Sequence, residues 1–104
     1  MIGVDITDLS RVKDDEAFIR RVLTPEEQAE LADRKTASRR IEYIGGRFAA
    51  KEAIFKASGF QDVLSLSVLT GESGKPYVKD HPEIDVSISH DGSYAVAAAI
   101  VKEK

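Results

Sequence analysis

The hydrophobic period changes along this chain, and that change limits its fold more than any other feature. Ile2, Val4 and Ile6 alternate with Gly3, Asp5 and Thr7, the two-residue period of a half-buried strand. Helical spacing then takes over. Residues 13–23 place Ala17, Phe18, Val22 and Leu23 as a short amphipathic helix. Thr24, Pro25 and Glu27 fit the N-cap, N1 and N3 positions of a second helix that runs to about Lys35. A longer third helix carries Ile41, Ile44, Phe48 and Phe55 on one stripe and stops at Gly59. Beyond it, residues 63–69 read as a strand, Gly74, Lys75 and Pro76 as a turn, and Tyr77 and Val78 as a short strand. Residues 86–90 alternate again, Asp91 and Gly92 signal a hairpin, and residues 94–101 return. A strand, three helices and then several strands predict an α+β fold with a mainly antiparallel sheet, in one domain over residues 1–104.

Composition narrows the function classes. The chain has no cysteine, which excludes disulfides, thiolate catalysis and cysteine-bound zinc. A net charge of −3 argues against a general nucleic-acid binder. The longest apolar run, residues 94–101, is too short to span a membrane, and no basic leader precedes the first strand, so the cytoplasm is the expected compartment. Positive charge is nevertheless clustered, first at Arg11, Lys13, Arg20 and Arg21, then at Arg34, Lys35, Arg39, Arg40 and Arg47. Such clusters suit phosphates or an acidic protein; they also suit a solvated helix surface.

Glu52 stands four residues after Phe48 and three before Phe55, on the apolar stripe of the third helix. A carboxylate there needs a cation, a hydrogen-bond network or a metal, and a salt bridge to Arg47 would also answer. Lys56 follows one turn later; as an ordinary i,i+4 pair with Glu52 it carries no functional signal. Asp5 interrupts an apolar strand on the face of Gly3, which leaves room for a ligand or a close-packed helix; an edge carboxylate facing water is the plainer reading. His90 shares a face with Val86 and Ile88 near a turn, as rim histidines do. With His81 as the only other histidine, a multi-histidine metal site is not expected. No Walker or Rossmann phosphate loop is present, and Ser87 and Ser89 face away from His90, so no triad forms.

Taken together, Gly3-Val4-Asp5-Ile6-Thr7, Arg21-Val22-Leu23-Thr24, Gly46-Arg47-Phe48-Ala49-Ala50-Lys51-Glu52-Ala53-Ile54-Phe55-Lys56-Ala57, Gly74-Lys75-Pro76 and Val86-Ser87-Ile88-Ser89-His90 resemble, in this order, the holo-[acyl-carrier-protein] synthase family. The resemblance implies a small 4'-phosphopantetheinyl transferase of fatty acid biosynthesis that assembles as a homotrimer with active sites between subunits. It implies Mg²⁺ on Asp5 and Glu52, and Lys56 directed at the phosphates of coenzyme A. Arg47 and His90 would line the coenzyme A site. Arg11, Phe18 and Arg20 or Arg21 would dock the acyl carrier protein. The carrier serine would attack the β-phosphate and release adenosine 3',5'-bisphosphate, with Asp5 the first candidate base and Glu52 the second. The stretch between Asp5 and Phe18, and the loop after Ala57, are shorter than the family's usual pattern. An inactive binding module and a Mg²⁺-dependent nucleoside-diphosphate hydrolase are the competing classes.

Overall fold

A computed structural model describes residues 1–102 of the chain. Strand β1 (Ile2–Asp8) leads through a 3-10 turn at Leu9–Arg11 to helices α1 (Glu16–Val22), α2 (Pro25–Ala32) and α3 (Ala37–Ser58). A second 3-10 turn at Val63–Ser65 precedes strands β2 (Val68–Thr70), β3 (Pro76–Val78), β4 (Ile84–Asp91) and β5 (Tyr94–Val101). The antiparallel sheet has the order β1-β5-β4, and β2 and β3 form a separate two-stranded ribbon. The predicted α+β architecture is the one observed.

Local chemistry explains the helix ends. The Thr24 hydroxyl accepts the Glu27 N–H while Glu27 Oε1 accepts the Thr24 N–H, the expected reciprocal capping box. Gly59 ends α3 in the left-handed region, φ +73°, and its N–H donates to the Phe55 carbonyl. Residues 63–65 wind into a turn and do not extend as a strand, because Val63 and Leu66, three apart, are both buried.

The inner face of the sheet is built of small residues. In the β1–β5 register, Gly3 pairs with Ala99, Asp5 with Ala97 and Thr7 with Ala95. Against them lies α3 with Ala49, Ala50, Ala53 and Ala57, all buried. The helix lies so close that a Cβ on Gly3 would collide with the Ala53 carbonyl oxygen. Ile44 and Ile54 are fully buried on the same helix, each contributing about 1.5–3 kcal/mol by leaving water.

This packing decides which face of the strand is buried, and a close-packed helix takes the room beside Gly3. Ile2, Val4 and Ile6 are 68%, 56% and 63% exposed, and it is the Gly3-Asp5-Thr7 face that meets the core. A helix can approach β1 this closely only over glycine and short polar side chains, so the apolar residues turn outward. Phe55, expected on the buried stripe, is exposed for a related reason: the buried surface of α3 is its alanine face. Asp5 is thereby held between strand and helix, at the mouth of a cleft.

Candidate functional site

The cleft has a volume of about 590 Å³ and opens where β1, the following 3-10 turn, α1 and α3 converge. Asp5 and Asp8 from β1, Arg11, Phe18 and Arg21 from the turn and α1, and Glu52 from α3 reach it together.

Asp5 comes with a cation already beside it. Its Oδ1 accepts from Lys56 Nζ at 3.0 Å and its Oδ2 from the Thr7 hydroxyl at 3.1 Å. Lys56 Nζ also donates to the Val4 carbonyl at 3.1 Å, although half of its side chain faces solvent. Lys56 therefore pairs across to β1, and the i,i+4 pair with Glu52 is not formed. The Glu52 carboxylate makes no hydrogen bond or ion pair with any described residue. Its predicted place beside Phe48 is confirmed, but the side of α3 they share faces the cleft.

Arg47 is placed elsewhere. Its Nε donates to the Val68 carbonyl at 2.9 Å and a terminal nitrogen to the Thr70 hydroxyl at 2.8 Å, with Glu30 3.5 Å away. The guanidinium lies over the Tyr43 ring at 4.2 Å, and the residue is buried. Arg47 neither pairs with Glu52 nor lines this cleft. Burial above all, with the Glu30 hydrogen bond, pushes the neighbouring Tyr43 phenol well above its ordinary value, while the Arg47 charge pulls the other way. His90 is also outside the cleft, exposed, with its Nε2 3.1 Å from the Glu42 carbonyl on α3. As predicted, it lies on the helix side of β4 while Ser87 and Ser89 face solvent.

The α1 residues divide. Phe18 and Arg21 line the cleft, with the Arg21 guanidinium 5.2 Å from the Phe18 ring centre. Arg11 joins them, and all three border a second hollow with Lys13 and Asp15. Arg20 points away and pairs with Glu16 at the surface. Asp8, the last residue of β1, belongs to the cleft. The Ser10 hydroxyl, then its N–H, hold the Asp8 carboxyl below the usual range, and Arg11 adds to this. Tyr94 was missed by sequence reasoning; it stands opposite Asp8 in the β1–β5 ladder, and only that register brings it to the cleft.

Chemically, the cleft offers oxygen donors: Glu52, without a partner among the described residues, Asp5, whose charge is met by the Lys56 ammonium, and Asp8, held by Ser10. Among the described residues no cluster of three or more His, Cys, Asp and Glu side chains is assembled for a metal. Two carboxylates still suit a hard divalent cation whose other ligands come from phosphate and water.

The chain matches known proteins over nearly its whole length. Residues 1–99 match the family model described as the 4'-phosphopantetheinyl transferase superfamily. A holo-[acyl-carrier-protein] synthase of Enterococcus faecalis is 38% identical over 117 residues, covering 99% of this chain and 97% of its own length. One of Halalkalibacterium halodurans is 41% identical over 114 residues, covering 96% and 92%. Both alignments are longer than the 104 residues here, so these relatives carry insertions relative to this chain. A Bacillus anthracis holo-(acyl-carrier-protein) synthase solved with CoA (3',5'-ADP) superposes with a TM-score of 0.88 at 35% identity, covering 99% of this chain and 96% of that one. The Helicobacter pylori enzyme in complex with coenzyme A gives 0.79 at 26% identity, covering 98% and 100%.

Proposed function

This chain belongs to the 4'-phosphopantetheinyl transferase superfamily, as a holo-[acyl-carrier-protein] synthase, and from that premise we propose that its cleft moves 4'-phosphopantetheine from coenzyme A to a carrier-protein serine. The observation that carries this reading is the convergence of Asp5, Lys56 and the unpaired Glu52 beside Arg11, Phe18 and Arg21. A phosphoryl-transfer centre and a docking rim share one opening.

In this reading Asp5 and Glu52 would hold Mg²⁺, to which their all-oxygen donor set is suited. When bound, the cation supplies charge neutralisation on the diphosphate and on the departing adenosine 3',5'-bisphosphate. Lys56, half exposed on a flexible stem, releases Asp5 and pairs with the phosphates. The serine oxygen forms its bond to the β-phosphorus as the bond to the bridging oxygen of the leaving group breaks. Glu52, whose carboxylate has no partner among the described residues, accepts the serine proton, while Asp5 keeps its bond from the Thr7 hydroxyl. Arg11 and Arg21 meet the acidic carrier, and Phe18 anchors it.

The outward face of the sheet extends the reading to assembly. Ile2 lies opposite Ile100, Val4 opposite Ala98 and Ile6 opposite Val96, an apolar surface across two strands. Further copies cover it in a homotrimer. Ile6 and Tyr94 line the cleft as well, so closure of this face shapes the site. Arg47 and His90 lie outside their own chain's cleft; exposed His90 reaches coenzyme A from a neighbouring copy, whereas buried Arg47 supports the fold from within. Light scattering that finds an active monomer at assay concentration would reject this assembly. No described helix is long and apolar enough to cross a membrane; the reaction is assigned to the cytoplasm, where coenzyme A and carrier are dissolved.

The test is incubation with coenzyme A, Mg²⁺ and an apo carrier, followed by intact-mass measurement of the carrier. A pantetheine-sized gain supports transfer. Free adenosine 3',5'-bisphosphate without that gain indicates hydrolysis, and neither product indicates a binding module.

A further inference from the structure

Lys51 and Glu27 form an ion pair at 2.6 Å in which both side chains are wholly buried. Lys51 Nζ donates to three segments at once: Glu27 on α2, the Val22 carbonyl at the end of α1 at 2.8 Å, and the Leu64 carbonyl at 3.4 Å. Glu27 is equally engaged, its Oε2 accepting the Val68 N–H and its Oε1 the Thr24 N–H. Compactness alone does not explain this pair, since apolar residues of similar volume often replace buried pairs without loss of stability. What the charges add is direction.

We infer that Lys51 is a positioning residue, a strut that fixes the docking helix α1 against the catalytic helix α3. Helix α1 has seven residues, too few to be stable alone, and its last carbonyls lack intrahelical partners. Lys51 caps one of them with a cation at the favourable end of the helix. The same helix carries Phe18 and Arg21 into the cleft, and Lys51 immediately precedes Glu52 in the chain. Any sliding of α1 relative to Glu52 therefore breaks the Lys51–Val22 bond. The strut sets where a docked carrier's serine arrives, but it touches neither carrier nor coenzyme A.

This inference rests on the transfer reading above, and wild-type transfer is established first; a wild-type chain that does not modify the carrier refutes that reading and leaves the strut to be judged by exchange alone. The test is the double variant Lys51→Met with Glu27→Gln, which leaves no unpaired buried charge. Carrier kcat/KM should fall at least tenfold, while the Kd for coenzyme A with Mg²⁺, measured by calorimetry, stays within about twofold. Amide hydrogen exchange should quicken in residues 19–23 and not in the middle of α3. Normal carrier kinetics, or equal losses for carrier and coenzyme A, would overturn the inference. If the double variant does not fold, exchange in the wild-type chain decides. Protection of residues 19–23 that matches α3 supports the strut, and fast exchange there contradicts it.

Discussion

Lys51 and Lys56 both leave α3 to meet a carboxylate, but Lys51–Glu27 is sealed from solvent, whereas Lys56–Asp5 has half of its lysine in water. Inside, an ammonium removed from water must find partners for all its protons, and Lys51 finds three. Its burial holds its pKa below that of an ordinary lysine, with Glu27 pulling the other way. Outside, an ion pair competes with water and is worth about 0–1 kcal/mol, so Lys56 can exchange Asp5 for another anion at small cost. One pair locks the architecture; the other remains free to react.

The difference predicts opposite responses to the same substitution. Lys56→Met should lower transfer by about a hundredfold or more, as loss of a charge-stabilising donor does elsewhere, with little change in urea midpoint. Lys51→Met alone strands Glu27 in the core and should cost about 3–5 kcal/mol of stability. For a chain of this size that lowers the thermal midpoint by on the order of 10–30 °C. Scanning calorimetry and a carrier mass assay on both variants check this; similar profiles for the two would erase the distinction.

The docking rim gives a smaller, graded effect. Arg21 lines the cleft and Arg20 pairs outward with Glu16, so Arg21→Glu should raise the carrier KM about tenfold and Arg20→Glu no more than about threefold. Kinetics at low and high salt should show the salt dependence flattened in Arg21→Glu. Arg11→Glu should resemble Arg21→Glu. Equal effects from Arg20 and Arg21 would move docking off the cleft rim.

How much of this was legible in the sequence depends on which neighbour decides each residue. The capping box at Thr24 and Glu27, the Gly59 stop and the β4–β5 hairpin are settled within a few residues, and all were foreseen. Asp5 and Glu52 were legible as carboxylates out of place in their elements. The outward face of β1 was not, because strand alternation shows that two faces differ and not which one a helix will cover. Arg47 was misplaced and Lys51 overlooked for the same reason. Their partners, Glu30, Thr70, Val22 and Glu27, come from elements brought near only by the tertiary fold. The alanines opposite Gly3 were the available hint, since small residues in both elements permit the close approach that turns β1 around.

A third ion pair should give the smallest effect. Arg40 holds Asp14 through hydrogen bonds of 2.7 and 3.0 Å at a partly exposed site, and these bonds keep the Asp14 carboxyl below its ordinary 3.8. The unfolded chain thus binds the proton more tightly, so this contribution is present above about pH 4 and fades as pH falls through the lower folded value. Arg40→Met should cost less than about 1 kcal/mol at pH 7, and the difference should shrink toward pH 2. Urea titrations across that range check the sign. A difference that grows on acidification would contradict it.

The central claim is that Glu52, unpaired and facing the cleft, serves transfer and not folding. Glu52→Gln keeps the shape and removes the charge, so its measured turnover by carrier mass, set beside its thermal midpoint, tests that claim most directly. The account predicts a loss of at least a hundredfold in turnover with a midpoint within about 5 °C of wild type. Near-normal turnover with Mg²⁺ present would contradict it.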